Sequence, residues 1–459
     1  MKFLMAKCVW GATYVRTMLT VNLPSLLAPG NLPALRDSGI EHALYTTPED
    51  GAVIEAHPTY QALCRTIPCR MVRLDDPPPS SGDYFANIAR MNQAHCRILE
   101  ACEADSAVWL FDQPDHIWGD GSLPFLIARA RAGARCVMFA GVRTVLEEMV
   151  PALAPWRSAD GSVLSLPNRD LLRTALQCCH PHDAVRFWGM PIACTWPHHI
   201  SWRVTPDAFL RRAFFAQPFL MEVPGNGARP ERSVDADYIH LAFPDMDGVE
   251  FVRDTDDFLV VEVSRRQLMP EYNPQPLGVP MVAAWAAVNA NAHHMRSFDH
   301  PIRFHGGEVP ERRWRHAERF AEAVAGTIRT MRTLHGVSTA LGNGRPALTT
   351  LFGRLLRDEA AHGRMRIPDR FTLLLPDEAG VTPHLGEGTA TLARRAMDHV
   401  LPGDRSLADL LAQGEVLSAG GRRLTVRAAD GEITIEGRRV TMKDGFLEDI
   451  RCHGIAAPV

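Results

Sequence analysis

The chain has 459 residues, of which 46% are hydrophobic and 22% are charged, and its formal net charge is −4. This length exceeds that of one typical domain and predicts two. The small net charge argues against nucleic-acid or membrane binding by bulk electrostatics, and no apolar run reaches the length of a membrane span. Scattered cysteines without a CxxC pair, and an N-terminus unlike a signal peptide, predict a cytoplasmic protein with reduced thiols.

The N-terminal part of the chain alternates between apolar strands and helices. Strands are predicted at residues 3–10, 41–46, 69–74, 107–111 and 136–140. Helices are predicted between them at residues 13–27, 48–64, 84–103 and 120–132. The unbroken apolar run at 107–111 is typical of a central strand that is buried on both faces. This alternation predicts an α/β protein with a mostly parallel, doubly wound sheet and flanking helices.

The pattern loosens after residue 141, where residues 200–204, 219–223 and 258–263 read as further strands. A long helix is predicted at residues 313–335 from apolar positions at three- and four-residue steps. A break at Leu341–Pro346 follows, and then short helices and a β-meander. We therefore predict a first domain over residues 1–338 and a small α+β accessory module over residues 339–459.

Two acidic residues, Asp112 and Asp115, follow the predicted central strand. Ligands of open α/β sheets bind beyond the carboxyl ends of the strands, and two carboxylates there can hold a hard cation that in turn holds a diphosphate. The alternative is that both brace a turn, with Asp120 as a helix N-cap. Arg16 and Arg143 follow the first and fifth strands on the same predicted side, where either could pair with a phosphate.

Several short phrases of the sequence resemble one group of proteins. They are Val9-Trp-Gly11, the stretch from Leu23 to Leu35, the turn from Pro114 to Ser122, and the segment from Val234 to Tyr238. Together with the order of strands and helices, they resemble the GT-A fold glycosyltransferases, and in particular uncharacterised bacterial proteins of that superfamily. The resemblance implies a GT-A-like, Rossmann-like sheet in the first domain.

The same resemblance implies a glycosyltransferase that moves a sugar from a nucleotide-diphosphate sugar to an unknown acceptor. The donor would lie over the ends of the first, second and fourth strands. The residues beside its base and ribose would be Val9, Trp10, Gly11, Thr46 and Thr47.

The resemblance also implies roles for four aspartates. Asp112 and Asp115 would face the diphosphate through a divalent metal, Mn or Mg, or through water. GT-A enzymes use Asp-x-Asp for this purpose, and the spacing here is one residue longer. Asp235 or Asp237 would deprotonate the acceptor hydroxyl.

Two other functions remain open from the sequence. The longer aspartate spacing favours a non-catalytic interaction protein that has lost its metal site and binds a protein partner through the C-terminal module. A metal-dependent hydrolase would use histidine pairs, although no tight ligand motif is present. Weaker site candidates are the acidic run 254–257 and the histidines His198, His199, His293, His294, His300 and His305.

Overall fold

A computed structural model of the chain describes residues 1–74, 83–231, 234, 236–268, 272–342, 345–354, 368, 370–447 and 450–459. Two compact units are present. The first unit comprises Met1–Leu277 and Asn291–Glu318, and the second comprises Gly278–Ala290 and Arg319–Val459. The mixed α/β class predicted from the sequence is confirmed. The boundary predicted at 338/339 falls inside one continuous helix, and the division lies earlier along that helix.

The strands of the first unit agree closely with the predicted ones near the N-terminus. They are β1 Lys2–Val9, β2 Ile40–Thr46, β3 Cys69–Arg73, β4 Ala107–Phe111, β5 His116–Trp118, β6 Cys136–Phe139, β7 Val142–Val145, β8 Ala193–Cys194, β9 His199–Thr205, β10 Ala208–Ala213, β11 Gln217–Met221, β12 Val249–Phe251, β13 Val260–Ser264, β14 Tyr272–Asn273 and β15 Ile302–His305.

Helices connect these strands and continue into the second unit. They are α1 Ala12–Thr17, α2 Leu23–Leu26, α3 Pro48–Glu55, α4 Pro58–Thr66, α5 Tyr84–Asp105, α6 Ser122–Arg131, α7 Leu146–Ala152, α8 Asn168–Gln177, α9 Pro181–Ala184, α10 Ala236–Ala242, α11 Val279–Asn289, α12 Ala292–Phe298, α13 Glu311–Gly342, α14 Pro346–Arg354, α15 Glu378–Val381, α16 Thr389–Asp398 and α17 Leu407–Gln413. A π-helical turn, Met18–Asn22, joins α1 to α2 in place of the single helix predicted at 13–27.

A seven-stranded sheet with the order β12-β6-β11-β4-β1-β2-β3 forms the centre of the first unit. Strands β3, β2, β1 and β4 are parallel, β11 is antiparallel to both of its neighbours, and β6 and β12 run with β4. The prediction that β4 is central is confirmed, because it lies between β1 and β11 with all five residues buried. Smaller sheets have the orders β5-β13-β7, β15-β10-β9 and β14-β8.

Both faces of the large sheet are covered by apolar side chains. Alternate residues of β1 enter different clusters, with Phe3 and Met5 in one and Leu4 and Ala6 in the other. A strand that is buried on both faces needs a run of apolar residues rather than alternation with polar residues, and residues 3–6 of β1 form such a run. This arrangement leaves the ends of the strands as the sites where polar side chains meet.

The second unit contains another seven-stranded sheet, with the order β17-β16-β22-β21-β20-β19-β18. Its strands are β16 Phe371–Pro376, β17 Val400–Pro402, β18 Glu415–Leu417, β19 Arg423–Ala429, β20 Glu432–Ile435, β21 Arg438–Leu447 and β22 Ile450–Ile455. Strands β19, β20 and β21 form the predicted meander. Asp430 and Glu436 adopt positive φ values of 52° and 49° at its two turns, each followed by a glycine.

Candidate functional site

A cavity of about 210 Å³ lies in the first unit where β6 ends and β11 begins. Its ionisable lining residues are His116, Arg143, His182, Asp183, His198, His199 and Glu262. Phe139, Phe215 and Phe219 supply an apolar wall. A Cβ atom on the lining residue Gly141 would lie 2.6 Å from the carbonyl oxygen of Val260, so only glycine allows these two backbone segments to approach so closely.

Asp112, expected from the sequence to bind a metal, is part of a buried ion pair. Its carboxylate contacts the Nζ atom of Lys7, and both side chains are 0% exposed. Asn22 Nδ2 donates to both carboxylate oxygens at 3.0 and 3.2 Å, and Trp118 Nε1 donates to Oδ1 at 2.8 Å. The π-helical turn brings Asn22 to this position, where it also contacts Lys7.

This environment does not fit a metal on Asp112. Burial opposes ionisation of the carboxyl, but the charge of Lys7 and the hydrogen bond from His116 outweigh burial and lower the pKa of Asp112. A cation would have to displace the ammonium group of Lys7 from a site without solvent access. We therefore assign Asp112 the role of a structural partner of Lys7, in place of the predicted metal ligand.

Asp115 has a different environment from that of Asp112, because it lies beside the carboxylate of Glu262 in β13. Its carbonyl oxygen accepts a hydrogen bond of 2.9 Å from the backbone N–H of Val263, which places it next to Glu262. Burial and the charge of Glu262 raise the pKa of Asp115 to about 6. Arg143 pairs with Glu262 at 2.8 Å and holds this second carboxylate in place. Metal binding by Asp115 stays a prediction.

Elsewhere in the cavity lining, a buried guanidinium group contacts His182. Arg186 is 0% exposed, and its Nη1 atom lies 2.6 Å from Nδ1 of His182 and also contacts the His182 carbonyl oxygen. Its remaining donors reach the carbonyl oxygen of Trp196 and the Sγ atom of Cys194. Burial and the charge of Arg186 lower the pKa of His182 to about 3, so the ring is neutral.

Asp183 lies on the same wall in a second buried ion pair. Arg211 donates to its Oδ2 atom at 2.7 Å, and both side chains are at most 5% exposed. His199 Nε2 lies 3.5 Å from Asp183 Oδ1, and His199 Nδ1 lies 3.4 Å from Nδ1 of His198. Burial and the nearby Arg211 lower the pKa of His199 well below its usual value.

The residues predicted to border the base and ribose lie together at the carboxyl ends of β1 and β2. Val9 and Thr46 are direct neighbours in the parallel register, and both are buried. The indole N–H of Trp10 donates to Asn87 Oδ1 at 3.0 Å. Gly11 begins α1 with a φ of 83° and donates its backbone N–H to Asp50, which Thr47 also contacts as the N-cap of α3.

The two predicted phosphate-binding arginines are in different places. Arg143 lines the cavity, whereas Arg16 is exposed on α1 and is not among the residues that line it. Of the two predicted catalytic aspartates, Asp237 is not among the residues that line the cavity. Asp235 lies outside the described residues. Asp237 is exposed on α10, where Asn291 Nδ2 donates to it at 3.1 Å, so its role as a base stays a prediction.

Of the weaker candidates, His198 and His199 do line the cavity. Asp254, Asp256 and His305 form a separate group whose potential ligand atoms all lie within 4.8 Å of one another. Arg169 donates to both oxygens of Asp256 at 2.9 and 2.8 Å, and His305 Nε2 lies 3.0 Å from Asp254. Because the guanidinium group of Arg169 already contacts both oxygens of Asp256, we interpret these three residues as a structural hydrogen-bonded cluster and not as a metal site.

The sequence interpretation missed most of the cavity wall. His182, Asp183, Arg186, Arg211 and Glu262 were not singled out, since they come from separate segments. One signal was available, because His180-Pro-His182-Asp183 concentrates ionisable residues around a proline. Its meaning depends on Arg211 in β10, which no local pattern connects to it.

Comparisons with known proteins assign no family to this chain. No protein-family model and no curated protein matches it. One solved structure with partial similarity is a FAS1 domain pair from the insect cell adhesion molecule fasciclin I, at 14% identity and a TM-score of 0.18. The match covers 29% of this chain and 45% of that chain, and an overlap this low carries no argument about fold or function.

None of the helices among the described residues combines the length and the apolar character that crossing a bilayer requires.

Proposed function

We propose that the first unit binds a nucleotide-diphosphate sugar and transfers its sugar to an acceptor, as the resemblance of the sequence to GT-A fold glycosyltransferases implies. The observation that carries this proposal is the order of the strands around β1 and β4. From β1 the chain continues to β2 and β3 on one side, whereas from β4 it continues to β6 on the other. A crevice opens where the strand order reverses in this way, and nucleotides bind at such switch points.

The side chains at this reversal support the proposal. Trp10 and Gly11 follow β1, Thr47 follows β2, and Asp115 follows β4. The cavity adjoins the same edge through His116 and Arg143. The donor base and ribose would therefore lie beside β1 and β2, with the sugar directed toward Asp115.

The chemistry requires one group that accepts a proton and others that stabilise the leaving group. Transfer breaks the bond between the sugar carbon and the diphosphate oxygen and forms one between that carbon and the acceptor oxygen, whose proton passes to the base. A general base works best when its pKa is near the working pH, and the raised pKa of Asp115, about 6, meets this requirement. We assign this role to Asp115, which lies beside the cavity-lining residues His116 and Glu262, in place of Asp237 on α10.

Donor binding is tested by thermal shift with UDP-, GDP-, CMP- and dTDP-sugars, in manganese and in chelator. A ligand at 100 times its dissociation constant stabilises the folded state by about 2.7 kcal/mol. Asp115→Asn should retain this stabilisation and lose about 10²–10⁴-fold in turnover. Asp237→Asn, the matched control, should retain both. Failure of every donor to stabilise the protein would reject the proposal.

A second candidate function, a non-catalytic interaction protein, is favoured by one specific observation. Lys7 forms an ion pair with Asp112, the carboxylate that would bind the metal in a GT-A fold glycosyltransferase. On that alternative, the second unit would contact the partner through exposed apolar side chains such as Leu417 and Phe446, which are 58% and 57% exposed. The same donor titration separates the candidates, because an interaction protein should bind no nucleotide sugar.

A further inference from the structure

Arg186 carries a positive charge that is buried without a carboxylate in contact. Its guanidinium nitrogens contact the ring and carbonyl of His182, the carbonyl of Trp196 and the sulfur of Cys194. Among the described residues, all of these contacts are to neutral groups. A buried cation is normally paired, so this charge calls for a compensating anion nearby. His182 lines the cavity and contacts Arg186, so an anion bound to His182 in the cavity would lie close to this charge.

The hydrogen bond from Arg186 fixes which ring nitrogen of His182 carries the proton. In His182, Nδ1 accepts from Arg186 because a guanidinium group can only donate. The neutral ring must therefore carry its proton on Nε2. His182 consequently offers an N–H donor, which suits an anion and cannot ligate a cation.

Another lining histidine has an unused ring nitrogen. His199 is 3% exposed, and its Nε2 atom has no hydrogen-bond partner among the described residues. Its 3.5 Å separation from Asp183 is too long for a good hydrogen bond. A buried polar atom of this kind costs free energy until a ligand satisfies it.

The charges around the cavity favour the same ligand. Three guanidinium groups line it or contact its lining, namely Arg143, Arg186 and Arg211, and two carboxylates, Asp183 and Glu262, oppose them. The adjoining Lys7–Asp112 pair is neutral as a whole. While Asp115 beside Glu262 is protonated, below its pKa of about 6, one positive charge is left over among these described groups, beside N–H donors; when Asp115 is ionised, the charges balance.

We propose that this cavity is a phosphate-class oxyanion site, in which His182, held and polarised by Arg186, donates to a phosphoryl oxygen together with His199 and Arg143. As an account of where the donor diphosphate lies, the proposal rests on the proposed function. As an anion site it stands on the geometry of this wall alone. It needs no metal, which agrees with the occupation of Asp112 by Lys7.

The test is calorimetric titration of the full chain with inorganic phosphate and with pyrophosphate. His182→Leu removes the donor and should weaken binding by about ten-fold or more, because a hydrogen bond to a charged group contributes that much. His182→Gln keeps an amide donor and should recover part of the loss. His300→Leu, a histidine outside the cavity lining, is the matched control and should bind like the wild type.

A second measurement keeps the proposal testable if His182→Leu fails to fold. In the wild type, phosphate should shift the ¹⁵N resonances of His182 and His199 Nε2 and leave those of His300 unchanged. Absence of phosphate and pyrophosphate binding, or binding that leaves these resonances unmoved, would overturn the proposal.

Competition identifies the source of the phosphoryl group. A nucleoside diphosphate that displaces phosphate indicates the donor, and a sugar phosphate that does so indicates a phosphorylated acceptor. If neither competes, phosphate binding that depends on His182 still supports the oxyanion site and rejects its assignment to the donor diphosphate. Phosphate binding that depends on His182, without any binding of nucleotide sugars, would reject only the proposed function. Nucleotide-sugar binding that is independent of His182 would reject only the oxyanion site.

Discussion

Lys7 shows how a single charged residue in an apolar strand changes the interpretation of its partner. It lies in β1, the strand beside β4, and is 1% exposed. Burial lowers the pKa of the Lys7 ammonium, while Asp112 opposes this change. Once Asp112 is recognised as its partner, the acidic pair after β4 separates into one structural aspartate and one that remains available for chemistry.

Removal of Lys7 should be severely destabilising. Lys7→Met leaves Asp112 buried without a counter-ion, which should reduce the free energy of unfolding by about 3–5 kcal/mol. Adding Asp112→Asn should recover part of the loss, because it removes the unpaired charge. Glu148→Gln, which breaks an exposed pair with Arg266, should cost less than about 1 kcal/mol. Urea denaturation measures all four proteins, and equal losses for Lys7→Met and Glu148→Gln would refute the assignment.

Asp115 should make stability depend on pH. Its pKa in the folded protein is about 6, above the ordinary value of 3.8, so the folded state holds the proton more tightly than the unfolded state. Its contribution to stability is therefore present below about pH 4 and is lost as the pH rises toward 6. Asp115→Asn cannot ionise, so its stability relative to the wild type should increase over this range and then stay level. Thermal unfolding from pH 4 to pH 8 checks this, and a constant difference would contradict it.

At the scale of elements, β11 is the strand that completes the central sheet. It follows β6 in the chain, runs antiparallel to both neighbours and lies between β4 and β6 in the sheet. The sequence predicts a strand near residues 219–223, and the structure has it at Gln217–Met221. Its position between β4 and β6 was not predictable, because an apolar run specifies burial and not the identity of its neighbours.

A substitution at Leu220 tests how much the position of β11 between β4 and β6 contributes to stability. It is 0% exposed in β11, so Leu220→Ala should cost about 2–5 kcal/mol through lost burial and a cavity. Leu241→Ala on α10 makes the same chemical change at a side chain that is 49% exposed, and should stay within about 0.5 kcal/mol of the wild type. Comparable losses in guanidinium denaturation for both variants would show that β11 is not integral to the core.

At the scale of the whole molecule, each of the two units is formed from two separate stretches of the chain. The second unit includes Gly278–Ala290, which interrupts the sequence of the first. Helix α11 in this segment buries Val282, Ala283 and Trp285, and Arg332 donates to the carbonyl oxygens of Ala286 and Ala290. A division of the chain at one point, as predicted from the sequence, therefore separates α11 from its own unit.

Truncation should reveal this dependence. A fragment of residues 1–318 retains α11 without its partners and should aggregate and bind a hydrophobic dye, because its apolar face loses cover. The same fragment with residues 278–290 replaced by a Gly/Ser linker of equal length should remain folded and should not aggregate. Size-exclusion chromatography and far-ultraviolet circular dichroism compare the two fragments. Identical behaviour would show that α11 is not a part of the second unit in solution.

The sequence by itself determined the α/β class, the first five core strands and the central position of β4, because apolar periodicity records which side chains of one segment leave water. It also predicted which residues follow β1, β2 and β4, namely Trp10, Thr47 and Asp112. Only the tertiary structure decided that Asp112 pairs with Lys7 and that Arg186 supports His182 behind a cavity. Such contacts join segments that no local pattern connects, and they depend on the sum of many weak interactions over the whole chain.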